Sequence, residues 1–371
     1  MLGGKTSGQD GSSTDEAAAA PAEADHKPQE SHNPLARARV RAASHYAVSM
    51  ARTLAPVPSP ADLRRLAVDA AASRVPALWA AFRAGPRFPT TAARPSLKTN
   101  HHDLVTEHDR STEAALVRAL TDAVPGSRVL GEETGAHGAA GHPLRWIVDP
   151  IDGTSNFAHG FAMFSVSIAA EVDGEVVAGA IADPAAGQVF SSDDTGAYLA
   201  DVEPLDEPKA GGAPEASAVV VKDERPLAEL SRPAPDPALG ERGLNLVTSY
   251  PAGEALALEG TAALERFGEL VRTYATVRRT VSGALELAYT AAGWADAALY
   301  VDTKPWDVAA GMHLLRAAGG TWTGLSPDAS AAMTAAAHTA PFALALAPGR
   351  RAPTAARVLD VIHETRVTPR T

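Results

Sequence analysis

The sequence predicts a mixed fold, an α+β half followed by an α/β half, and three observations predict it. Two helix-periodic segments open the folded part near Pro60. An antiparallel meander with an Asp173-Gly174 turn follows from residue 161. From about residue 241 strands alternate with helices to the end of the chain. The organisation expected is an N-terminal extension over 1–59, an α+β subdomain over 60–202, a variable junction over 203–240 and an α/β subdomain over 241–371.

Residues 1–33 lack the apolar segment of a secretory signal and carry the composition of a disordered stretch. The basic, alanine-rich run LARARVRAASHYAVSMARTLA at 35–55 could be helical, but its apolar face is mostly small residues, so the whole extension reads as solvated. Met50, just upstream of PVPSP, is a candidate alternative start.

PADLRRLAVDAAASRVPALWAAFRAG reads as one helix, with apolar positions at Leu63, Leu66, Ala67, Ala70, Val75, Leu78 and Phe82, and with Gly85-Pro86 as its stop. DRSTEAALVRALTDAVPG at 109–126 reads as a second helix, capped by Ser111 or Thr112. SRVLGEE is a short strand reaching Glu132 and Glu133, and LRWIVDP is a strand buried on both faces until Asp149. FSVSIAAEV, EVVAGAIADP, GQVFSSDD and TGAYLAD form the meander, Asp-Gly between apolar runs being a hairpin signal. The junction holds one possible strand, SAVVV. Beyond it LNLVTSY, ADAALYV, TWTGL and PFALALA read as strands. GEALALEGTAALERFGELVRTY, SGALELAYTAAG, WDVAAGMHLLRAAGG and APTAARVLDVIHET read as helices. No internal repeat is found.

Composition narrows the function. The 371-residue chain carries a formal net charge of −11, which argues against nucleic acid as a partner, because a phosphate backbone needs a basic face. An acidic protein acting on a phosphorylated substrate needs cations to bridge the two. With no cysteine there is no disulfide, thiolate catalysis or cysteine-bound zinc, a pattern that suits a cytoplasmic location. No apolar run reaches the roughly 18 residues of a membrane span.

The chemistry concentrates in WIVDPIDGTSNF at 146–157. Asp149 and Asp152 end an apolar strand, and two such carboxylates raise each other's pKa unless a cation neutralises them. Mg²⁺ or Mn²⁺ answers that need, since hard cations take oxygen ligands, and the Ile151 carbonyl could join them. Gly153 lets backbone N–H groups approach a phosphate, and a helix starting at Thr154 would aim its positive end there. Taken alone, the stretch is equally an acidic turn. The Asp-x-Asp-x-Thr motif of dehalogenase-type phosphatases does not fit, because here the carboxylates are three apart and lie mid-chain. On a strand of period two that spacing splits them between faces unless the chain turns. Other acids are individually bland: Glu132 in GEET reads as a solvated loop residue, Asp103 and Asp109 flank a strand-like run with Asp109 as a helix cap, and Asp307 in KPWDVAAG reads as an N-cap. Lys98 could meet phosphate but reads as solvated. His101, His102, His108 and His159 read as surface or loop residues.

In order along the chain, DLVTEHD, GEET, WIVDPIDGTSNF, SGALELAYTAAGWADA and PWDVAAGMHLLRAAGG resemble the inositol monophosphatase family, part of the Mg²⁺-dependent, lithium-sensitive phosphatase superfamily. The resemblance spans about 60–365. It implies a five-layered αβαβα sandwich and a hydrolase, a phosphomonoesterase acting on a small phosphorylated polyol or sugar. Histidinol phosphate and 3′-phosphoadenosine 5′-phosphate are the alternative substrates. It further implies that Glu132, Asp149 and the Ile151 carbonyl hold a first Mg²⁺ and that Asp149, Asp152 and Asp307 hold a second. Thr154, bonded toward Asp109, would orient the attacking water with Glu132, while Gly153 and Thr154 N–H groups hold phosphate. Ser282 and Gly283 fall where the family contacts substrate. Tyr300 stands where animal members carry an inositol-binding glutamate, with Asp302 or Lys304 placed to assist it. Lithium sensitivity and a homodimer are implied by the resemblance alone.

Overall fold

The computed structural model describes residues 56–84, 96–97, 104–105, 107–138, 141–205, 218–326, 332–333 and 336–367. The expectations for residues 1–55, Lys98, His101, His102 and Asp103 lie outside the described residues.

Helix α1 (Pro60–Ala72) starts on Ser59, whose hydroxyl accepts the Asp62 N–H, with proline in its first turn. The single helix expected over 60–85 is two helices, α2 (Val75–Arg83) restarting after a turn at Ser73 and Arg74. Pro76 accounts for the break: its ring would meet the carbonyl four residues back, and it has no N–H to donate. The pair β1 (Ser96–Leu97) and β2 (Leu104–Val105) precedes α3 (Glu107–Ala123). That helix begins before the expected cap at Ser111 or Thr112. Its buried face runs Asp109, Thr112, Glu113, Leu116, Leu120.

The large sheet contains β3 (Arg128–Gly131), β4 (Gly135–His137), β5 (Leu144–Asp152), β6 (Ser165–Val172), β7 (Glu175–Asp183), β8 (Gln188–Asp193), β9 (Gly196–Pro204) and β10 (Val219–Pro226), in the order β10-β9-β8-β7-β6-β5-β3-β4. Short helix α4 (Thr154–His159) links β5 to β6. The meander is as expected, and Asp173 and Gly174 both take positive φ, 51° and 92°, as a tight two-residue hairpin turn requires. Part of the junction expected over 203–240 belongs to this sheet, because the SAVVV region becomes edge strand β10 and pairs with β9.

After α5 (Leu227–Leu230), β11 (Asn245–Thr248) leads into α6 (Gly253–Glu259) and α7 (Thr261–Thr273). These two replace the single helix expected over 253–274, which breaks at Gly260 (φ 63°, ψ −140°). Strand β12 (Thr276–Arg278) was not legible in sequence; three residues are too few to show alternation. Then follow α8 (Gly283–Ala291), β13 (Ala297–Val301), α9 (Pro305–Ala317), β14 (Thr321–Leu325), β15 (Ala332–Met333), β16 (Phe342–Leu346) and α10 (Pro353–Val367). The small sheet runs β12-β11-β13-β16-β14-β15.

Three apolar cores define five layers. The first joins α1, α2 and α3 to one face of the large sheet. The second places α8 and α9 between the two sheets, and the third packs α6, α7 and α10 on the outer face of the small sheet. The layered αβαβα sandwich is therefore the fold. Leu270 on α7 is fully buried in the outer core. Leu270→Ala is expected to cost about 2–5 kcal/mol through lost burial plus a residual cavity, checked by urea denaturation. Among the described residues no helix is long and apolar enough to cross a membrane.

Candidate active site

Strand β5 delivers the first carboxylates. Asp149 pairs with Ser167 of β6 and Asp152 with Ser165, but the register shifts between them. That irregularity is the turn the three-residue spacing demands; it re-aims side chains that a regular strand would send to opposite faces. Asp149 accepts the Ile151 N–H at 3.1 Å, which closes the turn around Pro150. Gly153 follows with φ 91°, and a Cβ there would lie 3.0 Å from the Met163 carbonyl and 3.2 Å from that of Val281, so only glycine fits.

Asp152 is pinned to the start of α8. Its Oδ2 accepts from Ser165 Oγ at 3.1 Å, Ala284 N at 3.0 Å and the Ser282 hydroxyl; its Oδ1 accepts Gly283 N at 2.9 Å. Asp307 comes from the first turn of α9, where its carboxylate accepts the Lys304 N–H at 2.8 Å. Its capping role is therefore real, and it coexists with a place beside the other acids. Asp109, like Asp307, does more than sit at a helix start. It is fully buried in the first turn of α3 and accepts the Thr154 hydroxyl at 2.9 Å. The same Oγ1 lies 3.0 Å from the Ile151 carbonyl, so one proton is shared between two acceptors.

Electrostatics ties these residues together. Burial first, then the charges of Glu132, Asp152 and Asp307, pushes the Asp149 carboxyl well above the usual carboxylate range, and Asp149 is hydrogen-bonded to Glu132. Two carboxyls bond to each other only through a proton or a cation. Burial pushes Asp152 up to about 6 against its four hydrogen bonds. Burial pushes Asp307 up to about 8; the Lys304 N–H opposes this, and the charges of Asp152 and Glu132 add to it. The donors are all oxygens, the set that suits a hard divalent cation. Among the described residues no three acidic or imidazole groups are drawn together into a ready cage. Asp149, Asp152, Glu132 and Asp307 are thus electrostatic neighbours of the right chemistry, and Asp152 keeps most of its spare acceptor capacity on Oδ1.

The residues expected to bind substrate have other partners. Ser282 is fully buried and donates to Asp152; the Gly283 carbonyl accepts the Tyr300 hydroxyl at 3.1 Å. Tyr300 is only 4% exposed. Asp302 (φ 64°) is held by Arg366 of α10 at 2.9 and 2.7 Å. His108 is half-buried against the Phe157 ring, and burial lowers its pKa, which corrects the surface reading. His159 is exposed at the end of α4, as expected.

Sequence reading missed three supports. Asn156 Nδ2 donates to the Met163 and Thr280 carbonyls at 2.8 and 2.7 Å, tying α4 to the loop before α8. Glu286 accepts from Thr280 and Ser249 under that loop, and burial pushes it up to about 7. Glu113 on α3 is fully buried and accepts the Glu133 and Thr134 N–H groups at 2.8 and 2.9 Å. An acid in register with Leu116 and Leu120 was the available signal.

Known proteins resemble this chain in sequence and fold. An inositol-1-monophosphatase of Mesorhizobium japonicum is 34% identical over 218 residues, 59% of this chain and 71% of that one. A protein named Nus factor SuhB from Pasteurella multocida is 31% identical over 220 residues, with the same coverage of 59% and 71%. The solved structure of Mycobacterium tuberculosis SuhB superposes with a TM-score of 0.57 at 27% identity, covering 84% of this chain and 100% of that one. The sequence profile of the inositol monophosphatase family matches residues 62–359, so this chain belongs to the inositol monophosphatase family.

Proposed function

We propose that the chain is a Mg²⁺-dependent phosphomonoesterase acting on a small phosphorylated polyol or sugar, working in the cytoplasm as a homodimer. The observation that carries this reading is the Asp149–Glu132 carboxyl pair, which feels the charges of Asp152 and Asp307, together with a threonine held by buried Asp109. Glu132, Asp149, Asp152 and Asp307 would hold Mg²⁺, with the Ile151 carbonyl keeping one lone pair besides its contact to Thr154. When bound, Mg²⁺ supplies acidified water and offsets charge on the phosphoryl oxygens.

The chain's own residues do the rest. Thr154, with its proton committed toward Asp109 and Ile151, turns oxygen lone pairs toward the attacking water. Glu132 accepts the proton that this water gives up as its oxygen bonds to phosphorus, and the P–O ester bond breaks to release the alcohol, whose oxygen takes a proton from solvent. The Gly153 and Thr154 N–H groups, at the start of α4, hold the phosphate. The complete set of Glu132, Asp149, Asp152, Thr154 and Asp307 argues against a descendant that has lost its chemistry, although several relatives bear the name Nus factor SuhB. Tyr300, buried with its hydroxyl bonded to Gly283, does not supply the inositol-binding carboxylate that animal members of the family carry at its position.

Phosphate release from inositol-1-phosphate, histidinol phosphate, 3′-phosphoadenosine 5′-phosphate and fructose 1,6-bisphosphate, each with Mg²⁺, tests the reading. Turnover of at least one, suppressed by lithium against a sodium control, is expected. Turnover of none contradicts it.

A further inference from the structure

Helix α3 carries two fully buried acids one turn apart, Asp109 and Glu113. Asp109 takes the Thr154 hydroxyl. Glu113 takes the loop that follows β3. Its Oε2 accepts Glu133 N at 2.8 Å, its Oε1 accepts Thr134 N at 2.9 Å, and the Thr134 hydroxyl donates to the same Oε1. The loop gripped in this way begins with Glu132, whose own N–H is held by the Val148 carbonyl of β5 at 3.2 Å. Gly131, the residue before it, faces the same carboxylate: a Cβ there would sit 2.5 Å from the Glu113 carboxyl carbon, so a side chain could enter only by displacing it. Glycine at 131 and glutamate at 113 are therefore one fitted contact.

We propose that Glu113 is a positioning residue for the reaction, fixing Glu132 at a set distance from Thr154 by anchoring the 132–134 loop to the helix that also anchors Thr154 through Asp109. The inference rests on the phosphatase reading above. One rigid helix then spaces the two groups that handle the attacking water, and a helix spaces them more exactly than a loop could. Three donors converge on the Glu113 carboxylate, so the anchor depends on its being acceptor-only.

Glu113→Gln tests this with little change in volume. The amide turns donors toward one of the two backbone N–H groups, and the loop must shift. Expected is a fall in kcat of about 10–100-fold, the range seen when support of a ligand is removed, with half-saturating Mg²⁺ raised about tenfold. The KM for the ester should stay within about twofold, since binding common to ground and transition states is untouched. Gly131→Ala, which crowds the same carboxylate from the other side, should act in the same direction. In metal-free protein, exchange of the Glu133 and Thr134 amides should accelerate while amides of β6 and β7 keep their rates. Leu270→Ala serves as the control for stability loss and should keep wild-type kcat. Wild-type kcat and Mg²⁺ dependence in Glu113→Gln would overturn the proposal. So would an equal loss of kcat in Leu270→Ala at matched melting temperature. If the wild type hydrolyses no ester, the phosphatase reading fails separately, because amide exchange and calorimetric Mg²⁺ affinity still report on the anchor.

Discussion

Asp149→Asn is expected to abolish phosphate release while leaving the fold intact. Asp149 is the most electrostatically burdened group of the site, with burial and the charges of Glu132, Asp152 and Asp307 all raising its pKa. An asparagine keeps the shape and can still accept the Ile151 N–H, so the turn around Pro150 survives. What disappears is one negative charge that both proposed cation positions share. The loss in kcat/KM should exceed the roughly 10–100-fold typical of residues that only support a ligand, reaching about 10³-fold or more. In metal-free protein the Asp149–Glu132 contact already needs a proton, and an asparagine amide can donate to Glu132 in its place, so the melting temperature at pH 8 should hold. Steady-state kinetics and a thermal melt on the same preparation check both halves. Undiminished turnover would sink the role given to Asp149.

The second large effect is on stability with pH. Asp152 and Asp307 have folded-state pKa values of about 6 and about 8, above the ordinary carboxylate value of 3.8. A carboxyl with a raised folded pKa binds protons more tightly folded than unfolded. Its contribution is fully present below pH ~4 and is lost as pH rises through the folded value. Metal-free protein should therefore lose stability between about pH 4 and 8, the opposite of the usual salt-bridged carboxylate. Mg²⁺ competes with those protons, so it should raise the melting temperature far more at pH 8 than at pH 5.5, by roughly 5 °C or more. Calorimetric melts with chelator and with Mg²⁺ at the two pH values measure it. An equal Mg²⁺ shift at both would contradict the assignment of these acids to the cation.

How much of this was legible in the sequence depended on how each residue is used. The strand-turn at Asp149 to Asp152 could be read because apolar periodicity ends there and the three-residue spacing forces a bend, which the β5 register shift supplies. The Thr154–Asp109 link came only from the family resemblance, since 45 positions separate the two residues and nothing local joins them. Read alone, Asp109 looked like a cap. Its burial on the core face of α3 follows from where the helix starts, and that boundary depends on the packing of α3. Helix breaks at Pro76 and Gly260 were overlooked because apolar spacing runs straight across both. Glu113 was missed because a single acid on an apolar stripe carries no local mark of the amides it meets. The substrate side was the least legible. Ser282, Tyr300 and Asp302 were expected at the ligand, yet their polar atoms meet Asp152, Gly283 and Arg366, contacts set by tertiary packing.

The measurement closest to the central claim is the Mg²⁺ dependence of phosphate release by wild-type protein stripped with chelator, on whichever ester of the panel it turns over. The role given to these carboxylates predicts no release without the cation, a saturable rise as Mg²⁺ is added back, and no such rise in Asp149→Asn. Full turnover in excess chelator would contradict it.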